Sequence, residues 1–485
     1  MIMMVIESQD VALLVGLVCL TALIREHWNF FVSMVKTCKT TSYGVYVDMV
    51  TILTVYVWFF VKGHFVDRTA VLSSVETHFR QLVGLTDKDT DDQVLVTHSC
   101  RTIFYVAIQG LLDDAKRRTG QRKIRIATSS VHFGSFFRLL RTLPDAQVEY
   151  YEVDLMATDW TLNQAAIDEE EIAKCDLVLC QNLFGVPFGQ DKLFELGRKY
   201  NIPVMEDCVQ SGSLYGRYKG HALADFVVWS CGLDKTPACL GGGLGHFRST
   251  AQGMRMYSMC KERHDTFAID SFKDRAIGVG NQTLHVMIAR NAFGINNLFG
   301  VLAYYFFSRK RHDYIQWYAM SLSVRKDKKF TPFQHATAKF CRQPSAYQLL
   351  AIRYGMNRRR MYQRIAAHEE WARTTLLAEI PTQYHAKLFP WMTTTVLKHH
   401  CTNGGISEFT WVAAPASDRR QELCQFLNDH FVISMINTTW ECTQLAPMGQ
   451  TVCDSLVYLP NLNHSNKRNL QYLGQVLTKW CETKL

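Results

Sequence analysis

The stretch Ile202–Phe247, IPVMEDCVQSGSLYGRYKGHALADFVVWSCGLDKTPACLGGGLGHF, decides the fold class of this chain. Its opening apolar run predicts a strand that delivers Glu206 and Asp207 at its carboxyl end, the edge where open α/β sheets place ligands. A second run, Phe226–Ser230, predicts a strand ending on Ser230, and Lys235 follows on an irregular segment. Gly241-Gly242-Gly243 then allow a tight turn and close backbone approach. Singly, an Asp or Lys at a strand end is usually a solvated turn residue. Converging at one edge, Asp, Ser and Lys suit a phosphorylated heteroaromatic cofactor: the amine forms an imine, the carboxylate stabilises a protonated ring nitrogen, and the hydroxyl binds phosphate.

Outward from this window, short apolar runs alternate with helix-period segments. Strands are predicted at Val94–Thr97, Lys123–Ala127, Val148–Val153, Leu177–Gln181, Pro203–Glu206, Phe226–Ser230 and Gly243–Phe247. Helices are predicted between most of them, at Thr102–Lys116, Phe133–Arg141 and Asp191–Tyr200 among others. That alternation reads as an α/β domain with a mostly parallel sheet. Strand alternation stops from about 250 to 334, and a basic helical segment after Pro344 leads into a last α+β region. No internal repeat is visible. The expected division is an apolar segment 1–65, a large domain 66–250, an insertion 251–343 and a small C-terminal domain 344–485, in keeping with roughly 150 residues per domain.

The decisive window resembles the DegT/DnrJ/EryC1/StrS aminotransferases. Their pattern runs viEDaAQ-x-x-G, a strand ending F-S-F, T-K, then E-G-G. Glu206-Asp207-Cys208-Val209-Gln210 matches the first element, Ser230 lies five residues before Lys235, and Gly242-Gly243 lie seven and eight after it. Further matches are Val94–Thr102 (VLVTHSCRT) for a strand followed by S-G-T at a helix start, and Asn182–Pro187 (NLFGVP) for an h-x-x-G-x-P turn. Arg358-Arg359-Arg360 and Leu459-Pro460 match small-domain elements. The resemblance spans about 66–250 and 344–485. It implies the fold type I architecture of pyridoxal-phosphate enzymes, with a mostly parallel large-domain sheet, a small α+β domain and here an apolar N-terminal extension.

The resemblance also implies roles. Lys235 is then the Schiff-base lysine and proton shuttle, and Asp207 the partner of the pyridinium nitrogen. Gln210 bonds the phenolic oxygen of pyridoxal 5'-phosphate. Ser230 and the Cys100 and Arg101 amides hold the phosphate at a helix N-terminus, where N–H groups favour an anion. His132, or Phe133 beside it, stacks on the ring. The chain departs from the pattern at Ser99-Cys100-Arg101, which lacks the glycine of S-G-T and shifts the hydroxyl to Thr102. It departs again at Asp234, where the family has Thr, and at Gly241, where it has Glu. Asp234 is either a surface substitution or a like charge that disfavours an anionic substrate. Lysine at 235 argues against the branch that carries histidine there for dehydration.

The expected activity is transfer of an amino group from an amino acid donor to a keto or aldehyde acceptor, a nucleotide-linked or lipid-linked sugar among the options. Other pyridoxal-phosphate reactions remain open (decarboxylation, Cα–Cβ cleavage, acyl transfer), as does an inactive membrane-bound scaffold, though retention of Lys235, Asp207, Gln210 and Ser230 together speaks against the last. The family's active sites lie at a dimer interface, so a C2 homodimer is expected, with basic residues of the middle stretch or around Arg342 reaching the partner's site.

The 485 residues carry 53 Lys+Arg and 44 Asp+Glu, a net charge of +9, and 48% are hydrophobic, which excludes a disordered chain. No nucleic-acid-binding motif occurs, and nucleic acid is not an expected partner. The 15 cysteines are scattered without a C-x-x-C, which points away from zinc or a disulfide framework and towards a reducing compartment. Two apolar runs, Val11–Ile24 and Val45–Val61, hold 14 and 17 residues, close to the ~20 of a spanning helix. They are either a membrane anchor, with the catalytic domain in the cytosol, or buried or interfacial helices of a soluble cytoplasmic protein. Phe293–Phe307, followed by Arg309-Lys310-Arg311, is either a buried helix or an in-plane lipid contact.

Overall fold

In the computed structural model the described residues fall essentially within 57–271 and 341–484, with 391–411 and several short loops, among them 86–90 and 233–234, outside them. Helices α1 (Val57–Lys62) and α2 (Arg68–Val83) lead into alternating elements. These are β1 (Gln93–Thr97), α3 (Cys100–Thr119), β2 (Lys123–Ser129), β3 (Val131–Phe133), α4 (Gly134–Leu140) and β4 (Gln147–Val153). Then come α5 (Glu169–Ile172), β5 (Leu177–Gln181), α6 (Asp191–Lys199), β6 (Val204–Asp207), β7 (Phe226–Ser230), β8 (Gly243–Phe247) and α7 (Ala251–Asp265). The helix ends are set by local chemistry. Ser99 caps α3 through its side chain to the Thr102 amide, and Gly120 closes it in the left-handed conformation at φ 78°.

The seven expected strands are the strands of one sheet, in the order β1-β8-β7-β6-β5-β2-β4. Strands β4, β2, β5, β6 and β7 run parallel, while β8 is antiparallel to both β7 and β1. The reversal follows from the connection. Among the described residues of the connection 231–242 none is helical, and a connection without a crossover helix suits antiparallel neighbours.

Both faces of the sheet's central strands are covered, which is why β5 and β7 read as nearly unbroken apolar runs, whereas edge strand β4, QVEYYEV, alternates. Leu177, Leu179, Met205, Phe226 and Val228 pack into one core with α3, α4 and α7. Their alternates Val178, Cys180, Val204, Val227 and Trp229 pack into the other, together with α2 and the C-terminal elements. Asp207 continues the Met205 row and Ser230 continues the Val228 row, so both lie on the face that α3 covers.

The two-residue strands β9 (Ala268–Ile269) and β10 (Arg342–Gln343) pair in parallel. Beyond them come α8 (Ala346–Met356), α9 (Arg359–Ala378), α10 (His385–Leu388), β11 (Val412–Ala413), α11 (Arg420–Asp429), β12 (Met435–Ile436), β13 (Trp440–Cys442), α12 (Pro447–Ser455), β14 (Val457–Tyr458) and α13 (Lys467–Lys484). Strands β11, β14 and β12 make a small antiparallel sheet with helices around it. Strand β13 crosses back to pair with β3, opposing Glu441 to His132.

Among the described residues no helix is long and apolar enough to cross a membrane. The run Val11–Ile24, most of Val45–Val61, the run Phe293–Phe307 and its basic flank lie outside the described residues.

Candidate active site

The carboxyl ends of β1, β5, β6 and β7 and the start of β8 meet at one edge of the sheet. Pairing aligns Ser230 with Gly243 and Gly243 with Thr97, while Asp207 pairs with Val228 on one side and Gln181 on the other. With neighbouring strands about 4.8 Å apart, Asp207 and Ser230 sit on adjacent strands, two positions out of step. The connection 231–242 then carries Lys235 over this edge.

Asp207 is buried, and its Oδ1 accepts the Val209 amide at 2.9 Å. Burial pushes its carboxyl up to about 6; the Val209 amide and the Lys235 charge pull the other way, and Glu206 adds to the rise. Lys235 is buried too. Cys100, the first residue of α3, is buried, and burial holds its thiol well above the usual range. Charge on Asp207 and Cys231 reinforces that shift, and Arg101 and Lys235 oppose it. Cys100, Asp207 and Lys235 therefore share one electrostatic neighbourhood. The start of a 20-residue helix is brought to the lysine and the carboxylate.

The glycine turn explains how that helix start comes so close. Gly242 bridges to Ser99 in parallel, and a Cβ on Gly243 would lie 2.5 Å from the Cys100 amide nitrogen and 2.5 Å from the Ser99 carbonyl carbon. Only a residue without a side chain lets β8 abut the helix N-terminus here. Gly241 and Gly242 take φ of 104° and 128°, which other residues rarely adopt. Thr102 is buried in the same cap, its Oγ1 3.1 Å from Ser99 Oγ, while Arg101 is exposed.

Gln210 is buried, and its Oε1 has no hydrogen-bond partner. His132 is buried on β3, stacked on Phe136 with ring centroids 4.3 Å apart and flanked edge-on by Phe104 and Phe137. Neither of its ring nitrogens has a hydrogen-bond partner, and burial lowers its pKa to about 3, so it is neutral. Phe133, the alternative, is half-buried in the same strand. The structure thus gathers Asp207, Ser230, Lys235 and Cys100 at one edge. It sets His132 in an aromatic pocket beside α3, through Phe104.

Two groupings escaped the sequence reading. Glu206, next to Asp207 but on the opposite face, is fully buried. It accepts Asn182 Nδ2 at 2.9 Å, the His221 amide at 2.6 Å and the Tyr218 hydroxyl. Asn182 Nδ2 also reaches Ser211 Oγ at 2.8 Å, tying the NLFGVP turn to the segment after β6. The second grouping is His98, whose Nδ1 lies 3.3 Å from Asp270; Arg342 lies 2.9 Å from the same carboxylate. Gln348 donates to the His98 carbonyl at 2.8 Å. The Asn182 turn was visible as a motif. The His98 grouping joins three segments far apart in sequence and leaves no local signal.

The residues present fit a phosphorylated pyridine aldehyde. They offer an unpartnered buried acceptor at Gln210, a buried carboxyl poised to pair with a cation, and a helix N-terminus opened by glycines.

No family model matches the chain. GDP-perosamine synthase of Escherichia coli O157:H7 is 26% identical over 141 residues, which make up 29% of this chain and 35% of that protein. The chain thus matches about a third of the length of that curated relative. Among solved structures, DesV of S. venezuelae superposes with a TM-score of 0.51 at 13% identity, over 85% of this chain and 89% of that one. The aminotransferase TlmJ of Streptoalloteichus hindustanus gives 0.52 at 14% identity, over 86% and 92%. Strand order, the lysine-bearing connection and these likenesses agree: the chain has the fold type I architecture of pyridoxal-phosphate enzymes, that of the DegT/DnrJ/EryC1/StrS aminotransferases its sequence resembles.

Proposed function

We propose that this chain is a pyridoxal-phosphate-dependent aminotransferase that moves an amino group from an amino acid to a keto sugar. The observation that carries the reading is the shared neighbourhood of Lys235, Asp207 and the start of α3 at one sheet edge. The cofactor, when bound, supplies an electron sink for the charge that develops at the substrate's α-carbon.

The chain's own groups do the rest. With the cofactor bound, the Lys235 amine would hold it and would be the base that takes and returns the proton at the substrate's α-carbon. A tethered amine does this far better than one in solution. Asp207, buried and reluctant to ionise alone, would pair as a carboxylate with a protonated ring nitrogen, the charge partner that burial otherwise denies it. Gln210, whose Oε1 has no partner, would orient the phenolic hydroxyl. Ser230, Thr102 and the first amides of α3 would hold the phosphate. His132, neutral and stacked on Phe136, would be the side chain to pack against the ring without adding a charge.

The sugar class of the acceptor draws support from the partial match to GDP-perosamine synthase; a nucleotide-linked sugar is our preferred acceptor. A homodimer with the site near its interface completes the reading, and sedimentation of the active protein as a monomer would contradict that part. The catalytic assignment is tested by adding pyridoxal 5'-phosphate to the purified chain and recording the visible spectrum. A band lost on borohydride, with the pyridoxyl mass fixed on Lys235, is expected. L-Glutamate should bleach the band and yield 2-oxoglutarate. A label on another lysine, or no band at all, overturns the assignment.

A further inference from the structure

We propose that the outer face of α1 and the turn after it docks on the interfacial zone of a lipid bilayer with anionic headgroups. The inference does not depend on the catalytic reading. Trp58, Val61 and Phe65 are 58%, 45% and 83% exposed, and they are three of the seven large apolar side chains exposed among the described residues. The helical turn continues past Lys62, with the Gly63 amide on the Phe59 carbonyl at 2.8 Å and the Phe65 amide on the Lys62 carbonyl at 2.9 Å. Positions 58, 61 and 65 therefore share one side of the element.

The opposite side is already taken. Phe59 meets Tyr354 of α8 edge-on at 5.7 Å, and a Cβ on Gly63 would lie 3.0 Å from the Tyr347 amide nitrogen. The element is thus pinned to the domain with its aromatic side turned outward.

Three observations choose a bilayer over a second copy of the chain. The exposed area is on the order of 400 Å², about half of the ~800 Å² per partner that a stable dimer needs. Exposed Lys62 and His64 stand beside Trp58 and Phe65, the mixture of aromatic and basic side chains that suits the headgroup level. The patch is also the end of the run Val45–Val61, in which Asp48 is the single charged residue, so the sequence leading into it is apolar.

The test uses the full-length chain and sedimentation with vesicles of phosphatidylcholine, with or without phosphatidylserine. Wild type should sediment with the phosphatidylserine vesicles. The combined variant Trp58→Glu, Val61→Glu, Phe65→Glu should partition roughly tenfold less, with its circular dichroism unchanged. Should that variant misfold, Trp58→Phe gives a second readout: quenching of tryptophan emission by brominated acyl chains should be weaker than in wild type. Wild type left in the supernatant with both vesicles overturns the proposal. So does quenching that Trp58→Phe leaves unchanged, or a folded triple variant that binds as wild type or that loses only self-association.

Discussion

The Asp154 carboxylate accepts the Gly449 amide at 2.9 Å and the Met448 amide at 3.0 Å, so a residue just after β4 caps the start of α12. The same carboxylate takes Ser130 Oγ and the Leu155 amide, each at 2.9 Å. One side chain thus fixes the C-terminal elements against the strand that carries His132.

Asp154→Ala strands the helix-start amides and the Ser130 hydroxyl together. We expect a loss of about 2–4 kcal/mol in urea unfolding, more than an exposed cap costs, because several donors lose one acceptor. Asp154→Asn keeps one acceptor oxygen and should fall between. An Ala variant as stable as wild type would mean that the C-terminal elements hold their place without this cap.

Asp207 makes a pH prediction for the cofactor-free chain. Its pKa is raised on folding, from the ordinary carboxylate range to about 6, mainly by burial. The folded state therefore binds this proton more tightly than the unfolded state does. Its contribution is most favourable at low pH, worsens as pH rises towards 6, and is a constant penalty above that. Asp207→Asn removes the penalty, so it should raise Tm above pH 6, by the equivalent of about 1–3 kcal/mol, and change little near pH 4. A gain confined to acid pH would contradict the sign.

Gly243→Ala should be far worse than Gly120→Ala, although both sit beside α3. At Gly243 the new methyl meets backbone of Ser99 and Cys100 at 2.5 Å, and backbone cannot swing away. At Gly120 nothing lies within 4 Å, and the cost is that of a positive φ alone, about 1 kcal/mol. For Gly243→Ala we expect at least twice that loss in urea unfolding, together with weakened pyridoxal 5'-phosphate binding by fluorescence titration. Equal losses would show that β8 and α3 have room to part.

What could be read from the sequence divides by range. All seven strands of the large sheet were legible: the central ones, covered on both faces, are nearly continuous apolar runs of about five residues, while β2 and β4 show the alternation of half-covered strands. The candidate site could be proposed from sequence because Asp207, Gln210, Ser230, Lys235 and the glycine turn fall within one short window. The direction of β8 was not, since strand propensity carries no sense of direction. Strands β9 to β14 have two or three residues each, too few for any period to register. Asp154, His98 and Asp270 look like ordinary polar loop residues in sequence. Their meaning comes from partners about 295, 172 and 72 positions away, and such pairings have no local signature.

Glu206 and Asp207 offer the sharpest contrast, since they are neighbours on β6 facing opposite ways. Glu206 is an acceptor for three donors on the structural face: Asn182, Tyr218 and the His221 amide. In Glu206→Gln one acceptor oxygen becomes an NH₂ group, which must confront either the Asn182 amide and Tyr218 hydroxyl or the His221 amide. A buried donor facing a donor costs about 2–3 kcal/mol, so this variant should lose stability in urea. Cofactor binding, measured well below the unfolding transition, should stay within about threefold of wild type, because no group facing α3 has changed. Asp207→Asn should do the reverse, keeping or gaining stability while binding pyridoxal 5'-phosphate loosely. If Glu206→Gln instead loses the cofactor with its stability intact, the two carboxylates have been assigned to the wrong faces of the strand.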